Sequence, residues 1–175
     1  MVSSGGPAAA DPGAGVAAVD SRAAITGPTA GSATEAVDLA ALGWVWPAEP
    51  FRLVRPFAAP AHEYGPGHRG IDLDLVGGEA LRAPADGVVA FAGSVAGRGI
   101  LTIDHGGGLV TTLEPAASDL APGTIVARGA PVATLGSGGH AAAGTVHFGV
   151  RLDGRYINPL LLLGDIPRAV LLPCC

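Results

Sequence analysis

Gly87-Val88-Val89-Ala90-Phe91, Ile100-Leu101-Thr102-Ile103, Leu109-Val110-Thr111-Thr112-Leu113, Thr124-Ile125-Val126 and Pro131-Val132-Ala133-Thr134-Leu135 follow one another along the middle of the chain. Short runs rich in Val, Ile and Thr, bounded by Gly, Pro and Asp, are the pattern of an all-β sandwich or barrel. No amphipathic helix of useful length competes with them. The chain holds 28 Gly and 15 Pro, more than a helical bundle tolerates, because Gly weakens helix interiors and Pro breaks them. In Gly123 to Gly136 small turn residues punctuate alternating Val positions, as suits paired, sharply turning strands. The expected fold is a compact antiparallel β-sandwich, or barrel-sandwich hybrid, with glycine-rich loops. The apolar segment Pro159 to Leu163 reads as a short helix or a closing strand.

Working outward, 175 residues with 49% hydrophobic side chains give room for one domain with a real core. Residues 1–42 are mostly Ala, Gly, Ser and Pro without a sustained apolar period, the composition of a disordered leader. The domain is then expected over 43–165, with a C-terminal tail over 166–175. Trp44 and Trp46, the only two tryptophans, mark the entry into ordered structure; two apart on a strand, they would face the same side and cover a sheet edge. Neither a basic segment nor an unbroken apolar run follows Met1, so no signal peptide is visible, and no run is long enough to span a membrane.

All ten basic residues are Arg, and the net charge is −5. That balance offers nucleic acid and anionic lipid no electrostatic attraction. The absence of Lys excludes the biotinyl and lipoyl carriers, β hybrids that attach their cofactor to a lysine. The only cysteines, Cys174 and Cys175, are adjacent at the C-terminus; they provide neither a disulfide framework nor the spacing of a thiolate metal site.

Chemistry concentrates in His68-Arg69-Gly70-Ile71-Asp72 and in His147 of Thr145-Val146-His147-Phe148. Two imidazoles and a carboxylate are the ligand types of a catalytic zinc site that keeps one coordination position open. Asp74 repeats a carboxylate on the strand face of Asp72, as a supporting partner or as a solvated group. His105, beside Asp104 at a strand end, suits a structural hydrogen bond. His62 lies in a loop that can line a groove, and His140 sits in the glycine-rich loop Gly136-Ser137-Gly138-Gly139-His140.

From about Trp46 to Leu163 the order of motifs resembles the lysostaphin/LytM-type zinc metallopeptidases, which cut peptides of bacterial cell-wall peptidoglycan. The motifs are His68 to Asp72, Gly87-Val88-Val89, His105-Gly106-Gly107-Gly108-Leu109-Val110-Thr111, Gly123 to Gly129, Thr145-Val146-His147-Phe148 and Tyr156-Ile157-Asn158-Pro159-Leu160. The resemblance implies zinc held by His68, Asp72 and His147, peptidoglycan peptides as the ligand, and a place in the cell envelope or outside the cell.

The sequence departs from the family where two further histidines orient water and stabilise the oxyanion. Thr145 stands at the first position of the family's His-X-His, and Pro115 at the other. Neither replaces an imidazole, since Thr is no base near neutral pH and Pro has no side-chain acceptor. Glu114, next to Pro115, is the candidate substitute base, although strand alternation is expected to turn Glu114 and Pro115 to opposite faces. Two functions follow: a peptidoglycan metalloendopeptidase, or a degenerate module that binds cell-wall peptide or regulates another cell-wall hydrolase. A zinc-free structural domain of the sugar-transport phosphocarrier type is a third.

Overall fold

The computed structural model describes residues 38–62, 65–138 and 142–164. Most of the expected leader, His140 and the tail with Cys174 and Cys175 lie outside them. The Asp38 carboxylate accepts from the backbone N–H of Ala40 at the start of a 3-10 helix, Leu39–Leu42. The last residues that composition assigns to the leader therefore have regular structure.

The strands are β1 (Phe51–Arg55), β2 (Ile71–Leu75), β3 (Ala80–Arg82), β4 (Gly87–Val95), β5 (Arg98–Asp104), β6 (Leu109–Glu114), β7 (Ala116–Ala117), β8 (Ile125–Val126), β9 (Pro131–Leu135), β10 (Thr145–Leu152) and β11 (Arg155–Ile157). The main sheet runs β1-β2-β10-β6-β5-β4-β8, with β11 beside β10, and a second sheet runs β3-β9-β7. Every pairing is antiparallel, so the all-β expectation holds. The Pro159–Leu163 segment resolves into a short helix, α1 (Leu160–Leu163), which buries Leu162.

Tight reversals need glycine in the turn between β5 and β6. Gly106, Gly107 and Gly108 adopt φ of 76°, 58° and 80°, a region that side chains with a Cβ rarely enter. The Asp104 carboxylate accepts the Gly106 N–H at 2.8 Å and closes the turn.

Alternation gives the main sheet two unlike faces. On one, Ile71 and Leu73 of β2 stand opposite Phe148 and Val146 of β10. Phe148 and Val150 stand opposite Leu113 and Thr111 of β6, which in turn face Leu101 and Ile103 of β5. All of these are buried, and Leu81, Val132 and Ala116 of the smaller sheet join the same core. On the other face the register sets Arg55 opposite Asp72, Asp72 opposite His147, and His147 opposite Glu114. A one-residue slip of β10 would exchange its faces and expose Val146, Phe148 and Val150, at about 1.5–3 kcal/mol per side chain. The apolar core thereby fixes where His147 points.

The two tryptophans depart from expectation. Trp44 and Trp46 belong to no strand and do not cover one edge together. Trp44 is buried against the His105 ring, centroids 4.7 Å apart, while Trp46 packs on Phe51 at 4.4 Å.

Candidate metal centre

His68 precedes β2 and is pinned twice. Its backbone pairs with Ala58, with Ala58 N–H donating to its carbonyl at 3.0 Å and its own N–H to Ala58 at 2.8 Å. Its ring Nδ1 lies 2.7 Å from the Pro56 carbonyl oxygen. A carbonyl only accepts, so Nδ1 donates, and Nε2 is the nitrogen turned toward Asp72 and His147. Gly67 permits the backbone pairing, since a Cβ there would come within 2.7 Å of the Ala58 carbonyl oxygen.

Asp72 and His147 arrive on adjacent strands in direct register. His68 Nε2 lies 2.9 Å from Asp72 Oδ1 and 3.1 Å from His147 Nδ1, and His147 Nδ1 lies 2.7 Å from Asp72 Oδ1. His68 is buried, and Asp72 and His147 are partly so. Gly70 makes room for this approach: a Cβ there would strike the Phe148 carbonyl oxygen and come within 2.6 Å of His147 Nε2. The glycine between His68 and Asp72 is thus a packing requirement of His147, 77 positions further on.

The donor set fits a cation. His68 Nε2, His147 Nδ1 and Asp72 Oδ1 all lie within 3.1 Å of one another. A divalent ion satisfies all three lone pairs at once, and two imidazole nitrogens with one carboxylate oxygen are apt zinc ligands. The Nδ1 hydrogen bond of His68 is the supporting contact that fixes a ligand's tautomer and ring orientation.

Around the three lies a cleft of about 130 Å³, which Arg55, Arg98, Glu114, Pro115 and Gly138 complete. Glu114 does face it, against the alternation argument. Cross-strand partners share a face, and Glu114 is the partner of His147; β6 ends at Glu114, so alternation does not carry Pro115 to the far side. The Glu114 carboxylate is not free, however, because Arg98 Nε donates to its Oε2 at 2.9 Å. Thr145, two residues before His147 on the same face, is buried opposite Asp74. Asp74 makes no hydrogen bond to His68, Asp72 or His147 among the described residues.

The other histidines lie elsewhere. His105 Nδ1 donates to the Asp86 carbonyl at 2.8 Å, and its Nε2 accepts from the Thr111 hydroxyl at 2.9 Å. Burial lowers its pKa below 6.5, against the opposing pull of the Asp86 carbonyl and the Asp104 carboxylate. His62 lines a separate depression with Arg69 and Tyr156. Arg55 and Arg98 are the cleft residues that sequence reading misses. Arg55 follows an unremarkable β run and Arg98 sits between Gly97 and Gly99 at a turn, so only the register brings them to the cleft.

Fold and site together define a class: a small antiparallel β domain with a His-Asp-His centre on the polar face of its main sheet. The family model described as Peptidase family M23 matches residues 66–159, more than half of the chain, and the chain belongs to that family. It is 34% identical over 143 residues to the uncharacterized protein Rv2891 of Mycobacterium tuberculosis, covering 78% of this chain and 57% of that protein's length. It is 30% identical over 141 residues to the murein hydrolase activator NlpD of Salmonella typhimurium, covering 79% of this chain and 35% of NlpD. Among solved structures, a zinc-containing peptidase from Vibrio cholerae shares the fold, with a TM-score of 0.58 and 22% identity over 71% of this chain and 40% of that one. No helix among the described residues is long and apolar enough to cross a membrane.

Proposed function

We propose that the domain holds zinc through His68, Asp72 and His147 and binds peptides of cell-wall peptidoglycan in the cell envelope, acting as a recognition or regulatory module of wall hydrolysis rather than as an efficient peptidase. One observation carries this reading. The donor atoms of His68, Asp72 and His147 converge, while the positions that the family resemblance assigns to proton handling hold Thr145 and Pro115, and the remaining carboxylate, Glu114, is engaged by Arg98. General acid–base help is worth about 100-fold to 10,000-fold, and an oxyanion donor about 100-fold to 1,000-fold. A site without either is left with binding. The likeness to NlpD, a murein hydrolase activator by name, points the same way.

A hydrolytic reading keeps one observation in its favour: Glu114 shares the cleft and the strand row of His147. Bound zinc supplies a Lewis acid there, and Glu114 would then have to leave Arg98 to move a proton. The deciding experiment incubates the zinc-loaded full chain with purified peptidoglycan and follows both co-sedimentation and new amine ends. Co-sedimentation that needs zinc and His68, without amine release, is the expected result. Amine release abolished by both His68→Ala and Glu114→Gln would establish a hydrolase instead.

A further inference from the structure

The guanidinium groups of the cleft are the part of the site that metal binding does not use. Arg55 and Arg98 both line the cleft of about 130 Å³ around the ligating atoms. Arg55 makes no ion pair among the described residues, and it stands in register with Asp72 at the outer end of the polar row. Arg98 gives its Nε to Glu114, a contact that holds the guanidinium in place, while its two terminal nitrogens make no hydrogen bond among the described residues. Formally, the two guanidinium charges balance Asp72 and Glu114. Any divalent ion held by His68, Asp72 and His147 therefore leaves the cleft doubly positive, with free N–H donors at its rim.

Such a cleft selects an anion, and its volume accommodates a group of carboxylate size. The planar donor fork of Arg matches a carboxylate in paired hydrogen bonds. A second depression, of about 530 Å³, shares Pro115 and Gly138 with the cleft and runs on past Gly136, Ala143 and Gly144. Glycines, alanines and Ser137 make up most of its lining, with Leu75, Leu135 and Glu79 among them, and leave room for an extended peptide backbone with short side chains. We propose that the cleft receives a carboxylate of the bound peptide, gripped by Arg55 and Arg98 beside the metal position, with the peptide lying in the adjoining groove. This rests on the zinc and peptide reading above and names the group that is recognised.

The test uses the zinc-loaded full chain and titration calorimetry with three probes, in both L and D series: tri-alanine as free acid, tri-alanine amide, and Ala-Glu-Ala amide, which carries its carboxylate on a side chain. The free acid is expected to bind at least about 10-fold more tightly than its amide. Arg55→Gln, an exposed change outside the core, is expected to erase most of that ratio by weakening binding of the free acid. Arg55→Lys should retain part of it, and Arg98→Gln should reduce it too. Ala-Glu-Ala amide binding like the free acid would support the clamp with a side-chain carboxylate as its source; binding like tri-alanine amide would support it with the terminal one. Equal affinity for acid and amide, or a ratio untouched by Arg55→Gln, overturns the carboxylate clamp alone. Failure of every probe to bind overturns it together with the peptide-recognition reading beneath it.

Discussion

His68 and His105 begin alike and end differently. Each ring is locked by Nδ1 donating to a backbone carbonyl, Pro56 for His68 and Asp86 for His105, at 2.7 and 2.8 Å. The same tautomer follows in both. At His105 the other nitrogen meets a donor, the Thr111 hydroxyl at 2.9 Å, and the imidazole is complete. At His68 it meets the Asp72 carboxylate at 2.9 Å and His147 Nδ1 at 3.1 Å, a convergence of donor atoms that a bound cation can satisfy. What separates the two histidines is the partner of the second nitrogen, not the first hydrogen bond.

The largest expected effect tests that contrast directly. Asp72→Asn and His147→Ala each remove a proposed ligand, and zinc retained per chain after dialysis, read by elemental analysis, should fall from about one to near zero. The affinity loss should exceed the roughly 10–100-fold that removal of a mere supporting contact costs. His105→Gln should leave the metal content unchanged. Stoichiometric zinc in both ligand variants, or its loss in His105→Gln, would erase the distinction between the two histidines.

A smaller effect sharpens the same contrast through the glycines that back each ring. A Cβ at Gly70 would fall 2.6 Å from His147 Nε2, and one at Gly87 would fall 2.9 Å from His105 Nδ1 and 2.6 Å from the Asp104 carbonyl oxygen. Gly70→Ala and Gly87→Ala should therefore both lower unfolding stability, each by about 1–3 kcal/mol of overpacking. Only Gly70→Ala should also weaken zinc binding. Denaturant unfolding of the zinc-free forms, followed by metal titration, separates the two effects.

The legibility of the sequence divides along the same line between local and non-local order. The runs at Gly87, Ile100, Leu109, Thr124 and Pro131 announce β4, β5, β6, β8 and β9, because Val, Ile and Thr between turn residues state a strand locally. His68, Asp72 and His147 are legible as a group of ligand types, and the fold gathers their donor atoms. The row Arg55–Asp72–His147–Glu114 is not legible, because it depends on which residues of β1, β2, β10 and β6 face one another. Glu114 is the instructive case. Alternation counted from Pro115 turns it away from the cleft, whereas alternation counted across the ladder from His147 turns it in. The ladder prevails because β6 stops before the proline. Trp44 and Trp46 fail for a related reason, since a two-residue spacing has meaning only inside a strand and the chain there is irregular.

The smallest expected effect concerns protons. Burial holds the His105 pKa below 6.5 in the folded chain, so just below that pH the unfolded chain binds a proton that the folded one refuses. More protons on the unfolded side means that stability falls as pH falls. The contribution of neutral His105 is therefore fully present above about pH 6.5 and is lost progressively on acidification through the folded value. The other histidines are common to the wild type and a His105→Gln variant, so the difference between the two isolates His105. Unfolding midpoints at pH 7.5 and pH 5.5 should fall further for the wild type than for His105→Gln. An equal fall would mean that the Thr111 hydroxyl and the Asp86 carbonyl accommodate a charged ring as readily as a neutral one, and the contrast with His68 would then lie in geometry alone.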